Sequence, residues 1–181
     1  LPGKYGIGDF SKEAFQFIDI LKENHVDIWQ ILPLNPISYG HSPYQPYSSY
    51  AFDEIYIDIF DLISKNLLKP GYFSEIDGGF KTNYELARSI KEEAISLAFG
   101  AFKNDSNNME KLNQFLKENP LVDEFCEFIT LKEFNDGKSW NFWTISKEDR
   151  PEMFNEIKLK HAFAQMILFE EWNKIKSYAN A

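Results

Sequence analysis

Apolar side chains recur every three or four residues over most of the chain, a period that predicts amphipathic helices. Ser11 suits the N-cap of the first helix, and Thr82 and Glu85 form a capping box for the third. Pro151 suits the first turn of the last helix. The predicted helices cover residues 11–24, 60–68, 82–103, 109–118, 121–134 and 151–178. The chain is therefore expected to be rich in helix.

Two short stretches carry strand patterns instead of helical ones. Residues 28–34 are almost continuously apolar, as in a strand that is buried on both faces. Ile55, Ile57 and Ile59 alternate with more polar neighbours, which predicts a half-buried strand. The helix at 11–24 followed by a strand at 28–34 makes one step of a parallel sheet that is covered by helices.

The stretch over residues 29–50 combines a stiff backbone with hydroxyl-bearing rings. Prolines disfavour helix and interior strand in its second half. Small hydroxyl and amide side chains separate its four tyrosines, Tyr39, Tyr44, Tyr47 and Tyr50. Ring faces cover the apolar C–H patches of a pyranose while polar atoms take its hydroxyls, so this stretch is a candidate sugar-binding wall. A surface loop with rings packed beneath it is the alternative interpretation.

Three motifs, in this order and at this spacing, resemble a known family. They are L-P-G-K-Y-G-I-G-D at residues 1–9, W-Q-I-L-P-L-N-P at 29–36 and Y-G-H-S-P-Y-Q at 39–45. Together they resemble the N-terminal signature of the 4-alpha-glucanotransferases, which are the amylomaltases or disproportionating enzymes. The sequence F-E-E-W-N-K-I-K-S-Y-A-N at residues 169–180 resembles a helix of the same family.

The resemblance implies an α/β fold, as an incomplete piece of a (β/α)8 TIM barrel with an inserted helical subdomain. Residues 1–59 would form a barrel segment with the aromatic substrate loop. Residues 60–148 would form the mainly helical insertion, and residues 149–181 a long helix that returns to the barrel. A loop at the carboxyl end of strand 28–34 would then lie on the face where such barrels build active sites. Because the chain begins with Leu1 inside a loop motif, we expect it to be a fragment.

The activity implied by the resemblance is transfer of α-1,4-glucan segments between maltodextrins by a retaining double displacement. Tyr44 would lie against the reacting sugar, Ser42 and Gln45 would line the same wall, and Tyr39 would make an outer glucan contact. No catalytic residue is assigned, because the family carries its catalytic acids on later barrel strands, and the fragment alone is expected to be inactive. A non-catalytic carbohydrate-binding or interaction module is the alternative function.

Charge and composition restrict the partners. The formal charge of −9 argues against nucleic acid or an anionic membrane and is compatible with a neutral glucan. Cys126 is the only cysteine and no apolar run approaches the length of a membrane span, so a cytoplasmic location is expected. The three histidines do not cluster in sequence, and neither a metal nor another cofactor is expected. The rest of its own barrel would be a partner, and without it non-native dimerisation through open apolar edges is expected.

The acidic residues after the tyrosine-rich stretch are expected to be caps and solvated charges rather than catalytic acids. They are Asp53, Glu54, Asp58 and Asp61. Asp53 and Glu54 stand where the resembled family usually has an Asn-Pro pair.

His161 lies on an apolar helix face and is expected to be a hydrogen-bonded core histidine. Trp140 and Trp143 are expected to pin the inserted subdomain to the core, with contact to a long glucan as the alternative. Cys126 is expected to serve packing alone. The role of His41 stays open.

Overall fold

The computed structural model describes residues 3–38, 42–76 and 82–181. Helix dominates these residues, so the helix-rich architecture expected from the apolar period is confirmed. The α-helices are α1 (Lys12–Glu23), α2 (Ile59–Ser64), α3 (Tyr84–Phe102), α4 (Ser106–Glu118), α5 (Pro120–Phe134) and α6 (Phe154–Ala179). Short 3-10 turns occur at Glu54–Tyr56 and Trp140–Phe142. None of the described helices is both long and apolar enough to cross a membrane.

The helix caps follow the sequence in part. Ser11 is the N-cap of α1 as predicted, although its Oγ donates to Glu13 rather than capping a backbone N–H. The predicted capping box at Thr82 is wrong. The cap of α3 is Asn83, whose side-chain oxygen accepts from the backbone N–H of Leu86 at 3.1 Å. Asn is as good an N-cap as Ser or Asp, which explains how the helix begins one residue later.

The predicted buried strand at 28–34 is wrong. This segment belongs to no helix or strand among the described residues, and Ile28 is 82% exposed. A β-strand needs a neighbour to pair with its backbone and an apolar layer on each buried face. The described part of the chain offers this segment no paired strand, and its apolar contacts, such as the Trp29 ring 5.1 Å from Phe17 of α1, cover it only in part.

The predicted strand through Ile55, Ile57 and Ile59 is also wrong, although its burial pattern is correct. These residues lie in the first 3-10 turn, after it, and at the start of α2, and all three are buried. Asp53 caps the turn and Asp58 caps α2, each through its side-chain oxygen. The capping carboxylates break the extended conformation that the alternating pattern alone would favour.

The centre of the fold is α6. Every residue from 161 to 168 is buried, so this helix is surrounded on all sides. It packs against α1, α3, α4 and α5, with Phe163 touching the rings of both Phe99 and Phe102. Buried side chains from all three predicted segments share one hydrophobic cluster. The division at residues 59 and 148 stays a prediction.

A buried ionic cluster joins α3 and α6 to the chain that precedes α2. The Lys91 ammonium donates to Asp9 at 2.6 Å and to the carbonyl of Ile57 at 2.5 Å. Both carboxylate oxygens of Glu171 accept from the backbone N–H of Asp58 at 3.2 Å. Burial, with the nearby charge of Asp9, raises the pKa of Asp58 to about 6, and burial beside Asp58 raises the pKa of Glu171 well above its usual value.

Candidate functional site

The candidate site is a loop whose two ends are tied together at the base. We call residues 35–52 the aromatic loop. At its base the N–H of Asp53 donates to the carbonyl of Leu34 at 2.8 Å. Further along, the N–H of Tyr47 donates to the carbonyl of Pro36 at 2.8 Å, beside an antiparallel bridge between Ile37 and Pro46. The described residues on the two sides of the loop are therefore tied together at its base.

The structure brings Ser42, Tyr44 and Gln45 together in one turn of the aromatic loop. Tyr44 is 72% exposed, Gln45 is exposed and Ser42 is half-buried. The Gln45 backbone is fixed from both sides: its N–H donates to the Ser42 carbonyl at 3.2 Å, and its carbonyl accepts from the N–H and the Oγ of Ser38 at 3.0 and 2.7 Å. Sugar binding by these residues stays a prediction. Tyr39 and His41 lie outside the described residues.

Three consecutive residues at the end of the loop dock it onto the helices. We call Phe52, Asp53 and Glu54 the docking tripeptide. The Phe52 backbone is held by the side chain of Gln165 on α6, whose Oε1 accepts from the N–H at 2.9 Å and whose Nε2 donates to the carbonyl at 2.8 Å. Gln165 is fully buried, and this pair of bonds satisfies both its polar atoms.

Asp53 connects the tripeptide to α3. Its carboxylate accepts two bonds from the Arg88 guanidinium, at 3.0 and 3.1 Å. The same carboxylate accepts from the backbone N–H of Ile55 at 3.1 Å and of Ile37 at 3.3 Å. Asp53 is 3% exposed, so these donors take the place of water around a buried charge.

Glu54 connects the tripeptide to α6 and α5 through a histidine. The His161 ring lies between two carboxylates, with Nδ1 2.7 Å from Glu54 and Nε2 2.7 Å from Glu133. Burial alone would lower the pKa of His161, but the two carboxylates raise it to about 9, so the ring is a cation at neutral pH. The prediction of a hydrogen-bonded core histidine is confirmed.

The acidic side chains near the loop are caps and ion-pair partners, so the expected capping role is confirmed for Asp53 and Asp58, but the expectation of solvated charges is wrong because both are buried. Asp53 caps the first 3-10 turn, Asp58 accepts from the N–H of Phe60 at 2.8 Å, and Asp61 pairs with Lys65 and with Lys174. Among the described residues no group of three or more histidine, cysteine or acidic side chains is placed to hold a metal ion.

The two linker tryptophans have different surroundings. The Trp143 ring lies 5.5 Å from Phe128 of α5, which in turn lies 6.1 Å from Tyr47 of the aromatic loop. The indole N–H of Trp143 donates to the carbonyl of Lys138 at 2.9 Å. Trp140 is 75% exposed. Trp143 thus packs within the predicted insertion itself, so its pinning of that insertion to the core stays a prediction, and the exposed Trp140 has no such contact among the described residues.

Sequence reasoning missed Arg88 and Gln165, which hold the docking tripeptide. Their partners lie 35 and 113 residues away along the chain. One sequence feature could have indicated Gln165, because this polar residue interrupts the apolar run of a buried helix. A buried amide must find a hydrogen-bond partner, but the sequence does not say which one.

Comparisons with known proteins agree on one family. The family model described as 4-alpha-glucanotransferase matches residues 1–181. A 4-alpha-glucanotransferase of Aquifex aeolicus is 35% identical over 190 residues, covering 99% of this chain and 38% of the relative. One from Clostridium butyricum is 35% identical over 193 residues, with 99% and 39% covered.

A solved structure gives the same result in three dimensions. The amylomaltase from Streptococcus agalactiae in complex with acarbose superposes with a TM-score of 0.90 at 29% identity. The match covers 99% of this chain and 39% of that one. The chain thus spans about two fifths of the length of the relatives that it matches.

Proposed function

The chain belongs to the 4-alpha-glucanotransferase family, and from this premise we propose that the protein carrying it transfers α-1,4-glucan segments between maltodextrins. Within that protein the chain supplies part of the substrate-binding wall, as a piece of a (β/α)8 barrel with a helical insertion. The observation that carries the proposal is the family match over all 181 residues, with the S-P-Y-Q turn held on a closed loop.

The geometry of the loop supports the substrate class. An exposed tyrosine ring on a braced turn can stack on a sugar without first being ordered, which lowers the entropy lost on binding. In the proposed site Tyr44 contacts the reacting sugar, with Ser42 and Gln45 beside it and Tyr39 further out. The related amylomaltase was solved with acarbose, which supports an oligosaccharide ligand here.

We propose that the chemical step is carried out by residues outside this chain. A retaining transfer needs a nucleophilic carboxylate and an acid/base carboxyl about 5–5.5 Å apart on either side of the glycosidic bond. Asp53 is buried against Arg88, and Asp58 and Glu171 are buried beneath α2 and α6. We therefore assign no catalytic residue here and propose that the chain by itself is inactive. The cytoplasmic location and the absence of a cofactor stay predictions.

The test is maltotriose disproportionation by the protein that contains this chain and has the full length of its relatives; we call it the family-length protein. The wild type should release glucose and form longer maltodextrins. Tyr44→Ala should lower kcat/KM by at least about tenfold, because it removes a contact with the reacting sugar. The matched control is Tyr72→Ala, which removes an exposed ring outside the aromatic loop and should change kcat/KM less than about threefold.

Other outcomes would replace the proposal. A protein that binds maltodextrin without transferring it would be a carbohydrate-binding module. A protein that does neither would share only the architecture of its relatives. Equal losses in Tyr44→Ala and Tyr72→Ala would remove the specific role given to Tyr44.

A further inference from the structure

The Asp53 carboxylate joins both ends of the aromatic loop to one helix. Its Oδ2 accepts from the N–H of Ile37, on the entering side of the loop, and from Nη2 of Arg88. Its Oδ1 accepts from the N–H of Ile55, on the leaving side, and from Nη1 of Arg88. Each oxygen thus bonds one backbone group of the loop base and one nitrogen of the same guanidinium.

This arrangement gives Arg88 control over the direction in which the loop projects. A fork-to-fork pair between guanidinium and carboxylate fixes orientation as well as distance, which a single bond does not. Arg88 lies in the second turn of α3, a helix of 19 residues whose inner face is buried in the core. The loop base is therefore fixed relative to the helical body and not only to itself.

Asparagine at position 53 could not make the same contact. An amide has one acceptor oxygen and an NH₂ group, so it offers the guanidinium a single acceptor and no charge. Asp53→Asn would thus lose this two-point contact with Arg88.

We propose that Arg88 is a positioning residue for glucan transfer, which through Asp53 holds the aromatic loop at the angle that places Tyr44 against the reacting sugar. This inference rests on the proposed function. Arg88 touches no sugar in this role, and it acts only through the carboxylate and the two backbone groups that the carboxylate binds. Misplacing a substrate-positioning group by about 1 Å can lower a rate on the order of 100-fold, so a tilt of the loop is expected to be visible in kcat.

The kinetic test uses the family-length protein and maltotriose. Arg88→Met keeps the length of the side chain and removes the fork, and it should lower kcat by about tenfold or more. Arg88→Lys keeps the charge but offers a point donor, so it should restore only part of the loss. The matched control is Lys103→Met, which removes another cation at the far end of α3 and its ion pair with Glu156, and it should leave kcat unchanged.

Two combined variants separate positioning from a general loss of structure. In a Tyr44→Ala background Arg88→Met should have little further effect on kcat, because the ring that it positions is gone. Arg88→Met and Asp53→Asn together should be no worse than the stronger single variant. Full additivity in either pair, or a loss of kcat that matches the loss of folded protein, would overturn the proposal.

Hydrogen exchange gives a readout that does not depend on activity. In Arg88→Met the amides of Ile37 and Ile55 should exchange at least about tenfold faster, while amides of α6 should keep the wild-type rate. Unchanged exchange at Ile37 and Ile55 would show that Arg88 does not hold the loop. If the wild type proved inactive on maltotriose while the exchange result held, the proposed function would be wrong, but Arg88 would still hold the loop through Asp53.

Discussion

Two apolar segments with similar sequence patterns differ in burial: one is mostly exposed and the other is buried. Residues 28–34 and residues 55–59 both have the pattern of a β-strand. Residues 28–33 of the first are exposed and belong to no described helix or strand, and the second is buried as a turn followed by a helix. An apolar pattern therefore states how much surface a segment must bury, and the neighbours that the chain provides decide whether and in what conformation it is buried.

The neighbours of the second segment can be named. Gln165 bonds the backbone of Phe52, and Glu171 bonds the N–H of Asp58. Lys174 pairs with Asp61 in the same register, since all three contacts join residues 113 apart. Residues 52–61 thus run alongside α6 in the same direction as the helix. Residues 28–34 meet the helices over part of their length only: the Trp29 ring lies 5.1 Å from Phe17 of α1, while Ile28 and Leu32 are exposed.

The largest expected effect comes from truncating one isoleucine of each segment. Ile57→Ala should lower the free energy of unfolding by about 3–4 kcal/mol, because it removes a fully buried side chain and leaves a cavity. Ile28→Ala, the matched control, should change it by less than about 0.5 kcal/mol. Urea denaturation of the chain measures both. Similar losses in the two variants would mean that residues 28–34 are buried in solution.

The charged histidine beneath the buried segment should give a pH dependence. Because the pKa of His161 is raised from 6.5 to about 9 in the folded chain, its stabilising effect is complete below pH 6.5 and is lost as the pH rises through 9. The difference between wild type and His161→Gln in unfolding free energy should shrink by about 3 kcal/mol over this interval. A constant difference from pH 6 to pH 9.5 would contradict the ion triad with Glu54 and Glu133.

Replacing Glu171 by a neutral side chain is expected to raise the free energy of unfolding by a smaller amount. Its raised pKa means that the folded chain resists ionisation beside Asp58, so stability is lost as the pH rises above the unfolded value near 4.5. Glu171→Gln keeps an acceptor for the N–H of Asp58 and should stabilise the chain by about 1 kcal/mol at pH 7.5. The gain should vanish at pH 4, where unfolding curves of the two proteins should coincide. A loss of stability at pH 7.5 would show that Lys91 compensates the charge fully.

The smallest effect on folding should come from making the exposed segment polar. Ile28→Ser with Leu32→Ser should leave the urea midpoint unchanged, since both side chains are exposed. The same change should reduce self-association of the chain, because contiguous exposed apolar surface favours contact between copies. Sedimentation or light scattering over a concentration series measures it. Equal association by wild type and variant would place the contact elsewhere.

Local sequence patterns predicted the positions of the helices better than their capping residues or the conformation of the segments between them. The apolar period of α1, α5 and α6 was sufficient to place them, and the break at Pro120 correctly separates α4 from α5. The period could not distinguish Asn83 from Thr82 as a cap, because both residues suit that position. It also could not distinguish a strand from a buried turn at residues 55–59, since short apolar runs suit both.

The sequence was sufficient to propose the residues of the candidate site but not the residues that support the loop. The tyrosines and prolines of residues 29–50 indicate a stiff loop with exposed rings, and Tyr44 is exposed as that interpretation requires. Arg88, His161 and Gln165 hold the loop from distant parts of the chain, and such pairings arise only from tertiary packing. A charge or an amide in an apolar run shows that a partner exists, but not where it lies.

The rate at which the buried thiol of Cys126 is modified can measure how often the core of the helical body opens. It is the only cysteine in the sequence, it is completely enclosed on α5, and burial raises its pKa, so a thiol reagent cannot modify it in the closed protein. Labelling then proceeds only when α5 opens. Because α5 carries Phe128 and Glu133, which contact Tyr47 and His161, the rate of labelling reports how often the support of the loop comes apart.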